Sequence, residues 1–444
     1  MGTALSRWTM AYFTAALVFL MAAQTMMAMG YGYPTVAVEA PETLVLVHTV
    51  TIGWLSLLMC GALLQFVPVL VAKPLQSEKL VLPALLCLLS GLVCLLAGFL
   101  HLAGAIETDL PLLPAAATLL PAGFLLVVIV VARTLWNVRP ARLPLPARFV
   151  AIGLACLAVT FAIGALFALV LSGLLPLDLR TEGLSIHIAA GVGGWLTFTA
   201  IGVSYRLLPM FMLAPDEERA ASRAVWRCGI LALLCFAAAP LERLAGGFGI
   251  FGPAAAVLAL AALYFYGLDL VFLYRNRKRR KLELNMKAAI GAFVAFFACG
   301  LLLPVAALTG TLEMYSGAVF YLAAFGWLTG LGLSQLYKIV PFLTWLECFG
   351  AVMGRKPTPR VQDLVAERRA RLWFALYFTG VAIGTGALAC AVPGLFRLAS
   401  AMTLVAIGAI IVELVVSRRL LNLPERDSLP EGASRPRLFL PSAR

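Results

Sequence analysis

The chain contains three histidines, and all three fall within long apolar stretches of the sequence. His48 and His187 each lie early in such a stretch, and His101 lies late in another. A neutral imidazole donates a lone pair without placing a charge in the membrane, so histidine is well suited to bind haem iron or copper from within a helix. His48 and His187 are therefore the candidate metal ligands. The alternative is that each ring hydrogen-bonds to a carbonyl or to interfacial water.

A repeated motif allows the positions of these histidines in the sequence to be compared. The letters G-W-L-[S/T] occur three times, and each time a proline follows the tryptophan by fourteen residues. A polar side chain precedes each proline by three residues. These polar side chains could form a ring of donors or extend to the lipid headgroups, and we favour the second interpretation. The three tryptophans are Trp54, Trp195 and Trp327, and the three polar residues are Gln65, Arg206 and Lys338.

Alignment of the three copies adds Tyr321 as a candidate. His48 lies six residues before its tryptophan, and Tyr321 has the same position in the third copy. Tyr321 could bind a cofactor or hydrogen-bond to it, and the alternative is a tyrosine that lies at the membrane interface or packs within the protein. His187 lies eight residues before its tryptophan, so an α-helix turns it away from the His48 direction. The glycine-rich stretch 189–194 could restore the register through a bulge.

The composition excludes a soluble protein. The chain is 62% hydrophobic and 12% charged, with a mean hydropathy of +0.97. Twelve apolar stretches are long enough to cross a bilayer as helices, which takes about 20 residues. The motif falls on the second, sixth and tenth of them. They cover approximately 9–29, 43–71, 80–103, 112–135, 147–172, 184–213, 225–245, 250–274, 287–309, 314–346, 371–392 and 396–418.

These stretches predict an all-α polytopic membrane protein with twelve transmembrane helices in three pseudo-symmetric four-helix repeats. The repeats would cover about 9–135, 147–274 and 287–418, within a single membrane domain, 1–444, that ends in a cytoplasmic tail, 420–444. Only residues 346–370 and 420–444 form connections or tails of any length, and both are too short and too charged to be domains.

The distribution of positive charge predicts the orientation. The net charge is +13, and the cations are concentrated in the even-numbered connections and the C-terminal tail. By the positive-inside rule, both termini are cytoplasmic and all three histidines lie in the outer third of the membrane. We expect a multi-pass protein of a bacterial-type inner (plasma) membrane. The lipid bilayer accounts for the charge through its anionic headgroups, and we expect no nucleic acid partner.

This arrangement resembles subunit I of the haem–copper oxidase superfamily. The resemblance covers the topology from about residue 9 to 418, and in local sequence only the segments 48–68, 187–209 and 315–345. In that family the histidine of the second helix is an axial ligand of the low-spin haem, which the resemblance assigns to His48. The histidine of the sixth helix is a copper ligand, which it assigns to His187.

The other metal ligands of that family are missing from this chain. Its histidine pair in the seventh helix and its histidines in the tenth have no counterparts, because residues 228–243 and 312–346 contain no histidine. A copper ion held by three imidazoles cannot be built here, nor can a bis-histidine haem between the second and tenth helices. We therefore do not expect binuclear reduction of oxygen or nitric oxide, and no catalytic residue is assigned.

The resemblance implies an oxidase-fold protein that binds one haem, or a copper ion, near the outer face. It would act as a sensor, electron relay or accessory factor in respiratory metabolism or the response to nitric oxide, with other respiratory membrane subunits as candidate partners. The second axial ligand could come from His187, His101, Met314 or Tyr321. Two interpretations without a cofactor stay open, namely a transporter or pore, and a structural subunit of a membrane complex.

Overall fold

The structure, a computed structural model, describes residues 8–138, 143–177, 182–355 and 357–423, together with 429, 436 and 438. Most of the predicted tail, 420–444, lies outside the described residues. Among the described residues, twelve helices are long and apolar enough to cross a membrane, and none of these residues forms a strand. The predicted all-α membrane fold is confirmed. Several cations that the predicted charge pattern considers also lie outside the described residues: Arg139, Arg142, Arg180, Lys356, Arg426, Arg435, Arg437 and Arg444.

Each predicted apolar stretch corresponds to one helix, because a backbone surrounded by hydrocarbon must satisfy its polar groups internally. The twelve helices are α1 (Thr9–Met29), α2 (Pro41–Val71), α3 (Glu78–Leu102), α4 (Leu112–Trp136), α5 (Leu145–Leu171), α6 (Gly183–Met212), α7 (Ala220–Arg243), α8 (Phe251–Arg275), α9 (Leu284–Leu308), α10 (Leu312–Phe349), α11 (Glu367–Ala389) and α12 (Pro393–Arg418).

The chain divides into two compact units, the first of which comprises Met1–Gln65, Leu282–Cys299 and Thr311–Arg444. It contains α1, most of α2, the first part of α9, and α10 to α12. Helix α1 packs against α2 and α12, and α11 packs against α10 and α12. Trp54 and Trp327 lie at its core, where neither side chain is more than 1% exposed.

The second unit comprises Phe66–Lys281 and Gly300–Gly310. Its helices pack mainly against their sequence neighbours: α3 against α4, α4 against α5, α5 against α6, and α7 against α8. Trp195 is buried here, and the Phe149 ring packs against Phe198 with centroids 4.5 Å apart. The single domain, 1–444, and the three four-helix repeats stay predictions.

Each of the three G-W-L motifs lies in a π-helical segment within its helix. The segments are Thr49–Ser56 in α2, Ala189–Phe198 in α6 and Leu322–Thr329 in α10. In a π-helix the hydrogen bonds join residues i and i+5, and such turns are rare and are frequently found at functional sites. The sequence suggested an irregularity only at the glycine-rich stretch 189–194. The structure has a widened segment there and in both other copies.

The last residue of the motif adds a hydrogen bond to the widened segment. Ser56 Oγ donates to the carbonyl of Thr51 at 2.8 Å, and Thr329 Oγ1 donates to the carbonyl of Ala324 at 2.7 Å. In both copies the acceptor lies five residues before the hydroxyl. A backbone carbonyl left without a partner in hydrocarbon is costly. The serine or threonine of the motif therefore stabilises the π-helical segment in these two copies.

The first and third copies of the motif contact each other within the first unit. Trp54 Nε1 donates to Thr329 Oγ1 at 2.8 Å, and both side chains are fully buried. Gly332 permits this close approach of α2 and α10, because a Cβ at that position would come within 2.6 Å of Leu58 Cδ2. Thr329 is thus both an acceptor for the indole and a donor to its own helix.

A Thr329→Val substitution tests this contact, since it keeps the shape of the side chain and removes its hydroxyl. The Trp54 indole N–H would then be buried without its acceptor, and we expect the free energy of unfolding to fall by about 1–3 kcal/mol. Unfolding in mixed micelles of increasing SDS content, followed by circular dichroism, measures the change. Thr329→Ser keeps the hydroxyl and should lose much less. Equal losses in the two variants would contradict the assigned role of the hydroxyl.

Candidate functional site

His48 is positioned directly before the first π-helical segment, near the start of α2. Its half-buried ring places Nδ1 2.8 Å from the carbonyl oxygen of Leu44. Because a carbonyl only accepts hydrogen bonds, this contact puts the ring proton on Nδ1 and the lone pair on Nε2. Metal-binding histidines usually have one ring nitrogen oriented by such a bond. The geometry of His48 therefore has the features of an imidazole ligand.

His187 has a similar arrangement in the second unit. Its Nδ1 lies 3.1 Å from the carbonyl oxygen of Thr160 on α5, and its ring meets Phe167 edge-on with centroids 5.8 Å apart. The carbonyl again assigns the lone pair to Nε2. One residue separates His187 from its π-helical segment, whereas His48 directly precedes its own. The segment in α6 is ten residues long and the segment in α2 is eight.

Tyr321 directly precedes the third π-helical segment, but its side chain is enclosed by protein. It is 3% exposed, and its ring centroid lies 4.9 Å from that of Phe325 and 5.3 Å from that of Phe396. Its hydroxyl lies against Gly384 of α11, where a Cβ would come within 2.9 Å of Oη. To bind a metal, Tyr321 would have to leave this packing. Its assignment to a cofactor site stays a prediction.

The remaining candidates for a second ligand are exposed. His101 places Nδ1 3.1 Å from the carbonyl oxygen of Ile106, in an exposed position. Met314 is 67% exposed. Among the described residues, no group of three or more histidine, cysteine, aspartate or glutamate side chains could hold a metal ion.

A tyrosine ten residues after the tryptophan recurs in the second and third copies, and it was not among the predicted site residues. In the second copy, Tyr205 Oη donates to Asp269 Oδ2 at 2.8 Å. Arg219, just before α7, places Nη1 2.6 Å from Asp269 Oδ1. Its guanidinium also lies 3.9 Å from the centroid of the Phe272 ring. The buried carboxylate of Asp269, late in α8, thereby forms an ion pair with Arg219 at the start of α7.

The third copy repeats this pairing with other helices. Glu413, late in α12, accepts a 2.8 Å hydrogen bond from Arg369 Nη2, near the start of α11. Tyr337 lies ten residues after its tryptophan, and its ring meets Phe374 of α11 edge-on with centroids 5.7 Å apart. The letters Y-[RK]-x-x-P, shared by these two copies, were the signal that could have revealed this similarity. The similarity of the two copies thus extends beyond the G-W-L letters.

Lys338 differs from the sequence expectation, which had it extend to the headgroups. Its Nζ lies 2.6 Å from Glu283 Oε2, with 15% and 10% of the two side chains exposed. Gln362 Nε2 donates to the other carboxylate oxygen at 2.6 Å. The prediction that Lys338 extends to the headgroups is wrong, because its ammonium group pairs with the Glu283 carboxylate at the start of α9. Arg206 keeps 41% of its side chain exposed, and Gln65 is buried.

No family model and no curated protein matches the chain. A functional assignment accordingly depends on the local geometry of the candidate residues. Of these, His48 and His187 combine a half-buried imidazole with an oriented ring, whereas Tyr321 is held within a packed core.

The Glu283–Lys338 ion pair can be tested with a double-mutant cycle. Glu283→Gln removes the negative charge beside Lys338, and Lys338→Met leaves Glu283 with its Gln362 hydrogen bond but without the Lys338 cation. We expect each substitution to cost about 3–5 kcal/mol of unfolding free energy. The double variant should lose clearly less than the sum of the two. The exposed Arg360–Asp363 pair provides the control, since Asp363→Asn should change stability little. Additive losses at Glu283 and Lys338 would show that the pair does not couple.

Proposed function

We propose that this protein is an oxidase-fold integral membrane protein that binds one haem through His48. It would serve as a sensor, electron relay or accessory factor in respiratory or nitrosative metabolism. The observation that carries the proposal is the setting of His48. The residue directly precedes a π-helical segment, and its contact with the Leu44 carbonyl assigns the lone pair to Nε2.

The residues fit a haem better than a copper ion held by protein side chains alone. A haem brings the four nitrogen ligands of its porphyrin and needs only one or two axial ligands from the protein. A protein-held copper site needs a cluster of donors, and the described residues contain no group of three. Copper bound by His48 or His187 with fewer protein ligands is the alternative form of the proposal.

The chain's own residues would hold and orient the ligand. The Leu44 carbonyl fixes the His48 ring, while the bond between Trp54 and Thr329 holds α2 against α10 further along both helices. Bound haem iron would supply one-electron transfer or the binding of a small diatomic gas. Tyr321, which lies in the same unit as His48, stays a candidate for the second ligand, and the assignment of His187 as a metal ligand stays a prediction.

We also propose an inner-membrane location with both termini cytoplasmic. This rests on the cations of the even-numbered connections, which the positive-inside rule places on the cytoplasmic side. Exposed examples are Lys73, Lys79, Arg355 and Arg371. A respiratory membrane complex would be the partner on the same proposal.

An optical spectrum and a metal analysis of the purified protein test the proposal. We expect a Soret band with close to one iron per chain, and His48→Ala should abolish or shift the band because it removes the axial imidazole. On this proposal the exposed His101 is not an axial ligand, so the matched control His101→Ala should leave the spectrum unchanged.

Other results would overturn the haem assignment. A folded, colourless protein without iron or copper would favour a cofactor-free transporter or a structural subunit. A Soret band that His48→Ala leaves unaltered would show that the ligand is another residue. Stoichiometric copper without haem would support the alternative form of the proposal.

A further inference from the structure

A dense group of cations directly follows the apolar part of α8. Six of the seven residues at positions 275–281 are lysine or arginine, and Asn276 is the exception. We call residues 275–281 the basic run. Four of its cations are exposed: Arg275, Lys278, Arg280 and Lys281. A cluster of this size next to a membrane-spanning helix is typical of segments that contact anionic lipid headgroups.

The backbone of the basic run is fixed to the protein. The N–H of Lys278 donates to the carbonyl of Leu213 at 3.1 Å, and the N–H of Arg279 donates to the carbonyl of Met212 at 3.2 Å. Met212 is the last residue of α6. The run therefore lies across the end of α6, which holds its backbone at Lys278 and Arg279. Fixed cations lose less conformational freedom on binding an anion than a mobile tail does.

An exposed apolar stripe on α8 ends at the basic run. Tyr264, Leu268 and Val271 are 63%, 41% and 49% exposed, respectively. Their spacing of four and three residues puts them on one face of the helix, and Arg275 follows four residues later on the same face. The rise from Tyr264 to Arg275 is about 16 Å, close to half of the roughly 30 Å hydrocarbon core. An acyl chain on the stripe would thus place its headgroup at Arg275.

The exposed cations of the run are not neutralised by described carboxylates. In the second unit, the ion pairs found among the described residues join Arg206 to Asp216, Arg219 to Asp269 and Arg223 to Glu218. None of them involves the four exposed cations of the basic run. Their charge is therefore available for an external anion.

We propose that the basic run and the stripe on α8 form a binding site for an anionic phospholipid. The phosphate oxygens accept charge-assisted hydrogen bonds from Arg275 and Lys278, with Arg280 and Lys281 adding attraction. The acyl chains lie along Tyr264, Leu268 and Val271. This site is independent of any bound haem.

The full-length protein in neutral detergent, titrated with phosphatidylglycerol or phosphatidylcholine, tests the site. Lipid binding is read by native mass spectrometry and by the shift in the thermal unfolding midpoint. We expect phosphatidylglycerol to bind at least about tenfold more tightly than phosphatidylcholine, and salt at about 0.5 M to remove most of this preference. Glycerol phosphate, which has the charge without the chains, should bind far more weakly because it cannot use the stripe.

Two variants with four substitutions each locate the site. One carries Arg275→Gln, Lys278→Gln, Arg280→Gln and Lys281→Gln, and should lose the preference for phosphatidylglycerol. The matched control carries Lys73→Gln, Lys79→Gln, Arg355→Gln and Arg371→Gln, and should keep it. Equal effects of both variants would overturn the proposal, as would a wild-type protein without a salt-sensitive preference. Should the first variant fail to fold, Arg275→Gln with Lys278→Gln must still weaken the preference.

Discussion

Hydrogen bonding of the backbone in hydrocarbon is the constraint on which the rest of this structure depends. In the membrane, each peptide group must find its partner within the protein, and the three π-helical segments change where those partners lie. Side chains contribute the extra bonds. Ser56 and Thr329 each donate to a carbonyl five residues earlier, and Tyr377 Oη donates to the carbonyl of Phe325 at 2.5 Å. Each copy of the repeated motif thus marks a π-helical segment within a longer membrane-spanning helix.

The widened segments also give the candidate ligands their positions. His48 and Tyr321 directly precede their segments, and His187 lies one residue further away. The side chains of His48 and Tyr321 nevertheless have different surroundings. The His48 ring is oriented by its own helix through Leu44, whereas the Tyr321 ring is surrounded by Phe325, Phe396 and Gly384. The proposed haem site is therefore based on the imidazole of His48 in the first unit.

The sequence predicted the parts of the fold that depend on local composition. Twelve apolar stretches became twelve helices because length and hydropathy alone decide whether a segment can span a bilayer. The π-helical segments at 49–56 and 322–329 were not predicted, since neither contains the run of glycines that drew attention to 189–194. The partner of Lys338 was missed because Glu283 is distant in sequence and lies just before an apolar stretch. The enclosure of Tyr321 depends on residues of α11 and α12, which a comparison of motif copies does not include.

The central claim is that His48 supplies a nitrogen ligand to a bound haem iron. Pulsed electron paramagnetic resonance on the oxidised full-length protein, labelled with ¹⁵N only at histidine, tests it most directly. The account predicts a haem iron signal with hyperfine coupling to ¹⁵N, and loss of that coupling in His48→Ala. A folded protein without such a signal, or a ¹⁵N coupling that His48→Ala leaves unchanged, would contradict it.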